Sequence, residues 1–455
     1  MTTPTAEKSL GVEKIPLPAA SQHRLWVAFS TEGPLPEQAT PTVAPSGVLD
    51  FDYLERFIEA ASAQLPQALC AHAYPAEALR GVKEFPVSVE HVYAAIFTMP
   101  LGGIVAALVI DFVGTLSESI DLMSQVHRVD RFTLNGKHWD DCVNKLLDNA
   151  DWRSLQGRTT PSDGYSILFI AEKNEELFAK RGGQLRDADL ELVRRVLYRD
   201  RRRNLPFDPE KSVVLFPPET SRHPGELVAV GQLTTVAAGH ESYISNVFAL
   251  SAVRIVSATA LCRQIRDAAY AALLLAQQHA KGPRGNLRQR RDQLENLAAK
   301  LEKFELQLSF GVEAYSDISL LLPSGRATNF HRALYCAVGL PQAVETTSEM
   351  LTRLERAIAA DAQALRLRAR AADDRRRDRL SIAIGVVSIV AVASAFVFGF
   401  FGAHTTQVGR DPSLFDIERF GWMYVIAGGL SVLPVLVYLA LWALERSRSE
   451  DREST

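Results

Sequence analysis

The sequence predicts an α+β protein in three parts: an N-terminal mixed α/β cytoplasmic domain, a long helical stalk and a C-terminal two-helix transmembrane hairpin. Three observations carry this prediction. Two charge-free apolar runs, Leu380–Phe401 and Gly421–Leu444, lie in the last quarter of the chain. A stretch without Pro or Gly, Gln342–Arg379, leads straight into the first of them. Before Gly239, short runs rich in β-branched and aromatic residues alternate with helix-period patterns. The 455 residues divide accordingly into a disordered lead-in over 1–22, the α/β domain over 23–240, a helical stalk domain over 241–379, the hairpin over 380–444 (spans 380–402 and 421–444) and a cytoplasmic tail over 445–455.

In the α/β domain the expected strands are Leu25–Ser30, Val92–Thr98, Ile104–Phe112, Tyr165–Ala171, Val213–Phe216 and Leu227–Leu233, and the expected helices are Asp52–Gln64, Trp139–Asn149 and Ala188–Tyr198. Val92–Ile110 is apolar over about 19 residues, near the length of a membrane span. The turn signal Met99-Pro100-Leu101-Gly102-Gly103 interrupts it, so a hairpin of two strands buried on both faces is the better reading. After Gly239 the chain turns helical: Tyr243–His279, then Leu287–Leu308, then a short helix around Phe330–Val338, then the uninterrupted helix from Gln342. Leu294, Leu297, Leu301, Phe304 and Leu308 follow steps of three and four, a seam that packs along another helix. Met350/Leu351, Leu354, Ile358, Ala362, Leu365 and Ala369 make a second such seam on the stalk.

Leu380–Phe401 is long enough to cross a hydrocarbon core of about 30 Å as a helix, and so is Gly421–Leu444, with Trp422, Tyr424, Tyr438 and Trp442 near its ends. Arg366, Arg368, Arg370, Arg375, Arg376, Arg377 and Arg379 precede the first span, and Arg446, Arg448 and Arg452 follow the second. The connecting loop has only Arg410 and Arg419 against Asp411, Asp416 and Glu418. This asymmetry implies a multi-pass inner-membrane protein with two spans and both termini cytoplasmic.

Composition narrows the function classes. Lys+Arg 50 against Asp+Glu 53 and a mean hydropathy of −0.01 exclude a disordered or collagen-like chain and a polytopic transporter, and give no support for nucleic-acid binding. Four cysteines standing singly suggest neither a zinc site nor a disulfide framework. Phosphate-loop, HExxH and GxSxG spacings are missing, so no catalytic residue and no cofactor is expected. Three features remain as candidate sites. Arg194, Arg195, Arg199, Arg201, Arg202 and Arg203 crowd one helix end and suit a phosphate, an acidic partner or anionic lipid, or merely a solvated basic helix end. Gly239-His240-Glu241-Ser242 joins a strand to a helix, where backbone amides can receive an anion, and reads rather as a helix-capping turn with Ser242. Gly402, Ala403 and His404 close the first span, with Asp411, Asp416 and Glu418 in the loop beyond; small residues permit close helix packing and carboxylates at a mouth attract cations.

That last arrangement resembles the CorA-like two-span metal-ion channels, which share a stalk helix, an outer Gly-Met-Asn signature and an acidic loop. Here only Gly402 of Gly402-Ala403-His404 matches the signature. A second resemblance, to the bacterial CATRA (caspase and TPR repeat-associated) proteins, rests on Leu306-Gln307-Leu308-Ser309-Phe310-Gly311-Val312-Glu313-Ala314-Tyr315-Ser316-Asp317-Ile318 and on Phe330-His331-Arg332-Ala333-Leu334-Tyr335. Ala238-Gly239-His240, Ala249-Leu250-Ser251-Ala252-Val253 and Phe400-Phe401-Gly402 add to it. It implies a membrane component of a conflict or defence system whose protease activity belongs to a separate caspase-like or TPR partner; the uninterrupted stalk, the hairpin and the lack of catalytic spacings add the expectation of a non-enzymatic homo-oligomer. The expectation is a sensing or docking domain coupled through the stalk to a hairpin that forms or disrupts a pore; a membrane scaffold for the protease and a degenerate divalent-cation channel are the alternatives.

Overall fold

A computed structural model describes residues 13–32, 42–61, 64–99, 103–149, 158–171, 187–200, 214–221, 225–281, 287–312, 318, 324–404 and scattered positions between 417 and 436. The fold is mixed α+β, a sheet-bearing N-terminal region followed by long helices. The strands are β1 His23–Glu32, β2 Gln67–Pro75, β3 Leu79–Gly81, β4 Ser88–Thr98, β5 Ile104–Val113, β6 Phe132–Leu134, β7 Lys137–His138, β8 Arg158–Ile170, β9 Leu227–Val230 and β10 Thr234–Ala238. The helices are α1 Glu55–Ala60, α2 Leu116–Val126, α3 Trp139–Asn149, α4 Asp187–Tyr198, α5 Ser242–Lys281, α6 Leu287–Gly311, α7 Gly325–Ala337 and α8 Leu340–His404.

Seven strands form one sheet in the order β2-β4-β5-β1-β8-β10-β9, antiparallel except where β10 runs parallel to β8. The apolar run Val92–Ile110 is the β4–β5 hairpin expected from its turn signal. Both faces of the sheet are covered, which is why its inner strands read as continuous apolar runs. Leu25, Val27 and Phe29 of β1 share a core with α2, α3 and α4 residues such as Leu122, Trp139 and Val196. The alternate set, Trp26, Ala28, Val109 and Ile167, is equally buried, and α5 lies across β1, β5 and β8. Gly103 sits where that helix comes close: its φ is +139°, and a Cβ there would fall 2.6 Å from Ser257 Oγ.

Several boundaries differ from the sequence reading. Glu13–Gln22 is not a loose lead-in: Ile15 is buried, its amide donates to Val48 O at 2.9 Å, and Glu13 N donates to Ala71 O at 3.1 Å. Asp52–Gln64 yields only a 3-10 turn and the six-residue α1. Of the expected strand Leu227–Leu233 only Leu227–Val230 forms, as β9, and 231–233 make the turn into β10; of Val213–Phe216 only Leu215 pairs, as a single bridge to Val230, and Val213 lies outside the described residues. Helix α2 escaped notice although its start carries a capping box, Glu118 N donating to Thr115 Oγ1 at 3.2 Å and Thr115 N to Glu118 Oε2 at 2.8 Å.

The described chain divides into two units, 1–283 with 292–358, and 284–291 with 359–455. The expected domain border at 240/241 therefore falls inside the first unit. Its physical reason is α5, whose residues 246–258 are buried on every side between the sheet and α7. In the same unit α6 and α8 both meet α5. A Cβ on Gly311 would touch Leu261, and Thr347 Oγ1 lies 3.3 Å from Cys262 Sγ. The α6 seam is real in burial: Leu294, Leu301 and Leu308 are buried, Leu297 and Phe304 partly so.

Candidate membrane segment and polar clusters

Helix α8 passes through three environments without a break. From Val344 it follows a packed seam, with Val344, Thr347, Leu351, Leu354, Ile358 and Leu365 buried at steps of three, four or seven. From Arg366 to Arg379 every described side chain is exposed, whatever its side of the helix. From Leu380 the residues turn apolar yet stay exposed: Leu380, Ile382, Ile384, Val387, Ile389 and Val392 are each 45% exposed or more. At 100° per residue these six positions spread over about 220° of the helix circumference, and Ala383, Val386 and Val390 on the remaining side are half-buried. A helix apolar on all sides is stable only where something apolar surrounds it.

One further helix competes for the same description. Ser242–Leu275 of α5 is long and apolar enough to cross a membrane by length and composition, but 83% of its most apolar window is buried inside the first unit. It is a core helix. Leu380–Phe401 differs in that most of its described side chains are exposed.

Gly402, Ala403 and His404 are the last residues of α8, whose backbone alone is described there. Asp411 and Asp416 lie outside the described residues, while Glu418 is helical and exposed. In the second apolar run the described positions are helical, with Trp422, Val425 and Leu436 all more than half exposed.

The arginine cluster is not a uniform basic surface. Arg195 pairs with Glu191 one turn earlier at 2.7 Å. Arg199 ends α4 in the left-handed region (φ +53°) and turns back onto the sheet, donating to Thr234 Oγ1 at 3.1 Å, Ser166 Oγ at 3.0 Å and Leu233 O at 2.8 Å. Burial lowers its pKa to about 10. The same cationic group, after burial, helps hold His127 down to about 3. Tyr165 completes the cluster, its hydroxyl 2.8 Å from Gly231 O and from Thr235 Oγ1. Arg199 thus fastens α4 to the β9–β10 hairpin. Arg194 is partly buried, and Arg201, Arg202 and Arg203 lie outside the described residues.

At the Gly239-His240-Glu241-Ser242 turn the capping group is the Glu241 carbonyl, which accepts from Ile244 N and Ser245 N at 3.0 and 3.2 Å. Gly239 has φ +72° and a Cβ on it would strike Gly225 O, so the strand leaves the sheet against another backbone. His240 is buried against Phe248, and burial lowers its pKa to about 4. The turn is structural. Set against protein-family models, curated proteins and solved structures, the chain matches none. The CATRA-like strings are in part core: Phe330, His331 and Leu334 are buried, and Phe330 stacks on Phe248 at 4.0 Å, while Leu306 and Phe310 stand exposed on α6.

Two arrangements were not legible beforehand. Arg24 and Asp111, cross-strand partners on β1 and β5, form a bidentate pair at 2.7 and 2.8 Å with both side chains buried, and Pro16 O accepts a further bond from Arg24 at 2.6 Å. A lone carboxylate inside the apolar run Ile104–Phe112 was the available signal. A cavity of about 620 Å³ is lined by Glu32, Arg128, Val129, Asp130, His138, Asp140, Arg158, Thr159 and Thr160. Its charges are largely spoken for: Arg128 pairs with Asp130 at 2.9 Å, Asp140 accepts from Thr159 N at 3.0 Å, and Glu32 faces Arg158 across the β1–β8 register. These residues come from four separate stretches, the end of β1, 128–130, 138–140 and the start of β8, which only the fold brings together. Among the described residues no group of three His, Cys, Asp or Glu is placed to hold a metal ion.

Proposed function

We propose that this chain is a membrane-anchored, non-enzymatic, homo-oligomeric component in which a cytoplasmic sensing or docking body is coupled through α8 to a two-span hairpin. The carrying observation is the exposure profile of α8: a packed seam to Leu365, a charged exposed stretch to Arg379, and an apolar exposed stretch from Leu380. Exposed apolar surface is costly in water, at about 25 cal/mol per Å², and a bilayer removes that cost. The continuity of α8 from Leu340 to His404 supports coupling, because the helix has no Pro or Gly between Gln342 and Gly385 and so no joint there at which movement would be lost. In the setting that the CATRA resemblance implies, the trigger is a caspase-like protease or TPR partner and the output is opening or disruption of the bilayer.

Topology is the first test. In a Cys336→Ser background, Ser413→Cys in the loop should react with a membrane-impermeant maleimide from outside intact cells, and Ser449→Cys in the tail only after lysis. Equal labelling of both, or recovery of the chain in the alkaline-extracted fraction, overturns the hairpin. Output is the second. Vesicles loaded with dye and carrying the full chain should leak on addition of the partner, and replacing both spans by an unrelated anchor should abolish that leak. Retained biological function after such a replacement would assign the chain to scaffolding instead.

A further inference from the structure

We propose that Arg375, Arg376, Arg377 and Arg379 form a collar that binds the head groups of anionic phospholipids in the leaflet adjoining Leu380; this rests on the membrane reading above. All four are exposed, and among the described residues no ion pair engages them. The segment has no helical partner to expect. Continuing the packed seam from Leu365 by steps of three and four lands on Arg368, Ala372, Arg375 and Arg379, so the apolar ridge that held α8 ends there.

Position along the helix separates this group from the other arginines. At 1.5 Å per residue, Arg379 to Arg375 lie about 1.5 to 7.5 Å before Leu380, whereas Arg370 to Arg366 lie about 15 to 21 Å before it. The Debye length at physiological ionic strength is about 8 Å. The near group therefore sits within reach of lipid phosphates and the far group does not. Arg375–Arg379 holds four arginines and one aspartate, a local charge of +3 that Asp373 and Asp374 reduce to +1 over 373–379; Arg375, Arg376 and Arg379 share one face, while Arg377 stands at helical spacing from Asp373 and Asp374. Arginine suits the role because its planar fork meets a phosphate with two parallel hydrogen bonds.

The test uses the full chain reconstituted in vesicles of phosphatidylcholine and phosphatidylglycerol at about four to one, re-extracted in mild detergent, with co-purifying lipid counted by mass spectrometry. Phosphatidylglycerol should be enriched over the vesicle ratio, and the enrichment should fall with rising salt. Each arginine removed should weaken binding about fivefold, so that R375A/R376A/R377A/R379A abolishes it while R366A/R368A/R370A keeps it. Enrichment that survives the fourfold variant, or that both variants lose equally, overturns the collar. So does a chain that resists alkaline extraction yet shows no enrichment, and so does an acidic protein that co-purifies with the collar in place of lipid. Release of the chain by alkaline extraction would instead sink the membrane reading itself.

Discussion

Two long apolar helical stretches of this chain differ in how far their side chains are covered. Ser242–Leu275 of α5 is covered by the sheet on one side and by α7 on another, while most described side chains of Leu380–Phe401 in α8 are exposed. Apolar length by itself thus does not mark a membrane span; the deciding property is what covers the side chains. The charges embedded in each run agree. Arg254, Arg263, Arg266 and Asp267 interrupt the first, and Arg254 is only 1% exposed, whereas no charge interrupts the second.

The sharpest way to break this comparison is to place the same charge in both. Val253→Asp in α5 should cost about 5 kcal/mol or more and abolish cooperative urea unfolding, because the carboxylate has no solvent and the core no room. Val387→Asp in α8 should leave that transition within about 0.5 kcal/mol of the parent but weaken retention in membranes by about 3 kcal/mol. The buried tryptophans Trp26 and Trp139 report unfolding of the first unit. Equal destabilisation by both changes would mean that Leu380–Phe401 is also a core element.

A second contrast concerns charge. In the sheet, Arg24 and Asp111 are buried together, so Asp111→Ala strands a guanidinium and should cost about 3–5 kcal/mol in the same assay. Exposed arginines such as Arg366 should change unfolding by no more than about 0.5 kcal/mol when replaced by alanine. A loss below about 1 kcal/mol at Asp111 would show that solvent reaches the pair.

The smallest expected effect is a pH dependence confined to the first unit. His240 has its pKa lowered from 6.5 to about 4 by burial, so the unfolded chain binds the proton more readily. Its neutral form is present in both states above pH 6.5, and stability falls as pH drops from 6.5 towards 4, His240 contributing about 3 kcal/mol at most and His127, held down to about 3, adding to the fall over the same range. Urea midpoints measured from pH 7.5 to 4.5 should therefore shift downward, and less so in His240→Gln. An unchanged slope in that variant would assign the dependence to other groups.

Much of the architecture was legible in local pattern. The β4–β5 hairpin, α3, α4 and the four long helices follow from runs and periods that a short window contains, and the α6 seam predicted from spacing is the face that is buried. What escaped was non-local or masked by composition. Strand β2, Gln67–Pro75, has alternating small and polar residues that resemble a loop, and it is a strand because β4 pairs with it. The arginine cluster read as one basic surface, but the chain reversal at Arg199 turns that side chain onto Ser166, Leu233 and Thr234, which a one-dimensional count of charges does not register.

By itself, the sequence determined where the helices and most inner strands lie, that Leu380–Phe401 carries no charge, and that seven arginines stand immediately before it. These are local properties, set by side-chain type and spacing. Only the tertiary structure decided that α5 belongs to the same unit as the sheet, that Arg24 meets Asp111, and which of two apolar stretches is covered. Burial depends on partners distant in the chain, and hydropathy records only how much apolar surface there is to cover, not what covers it.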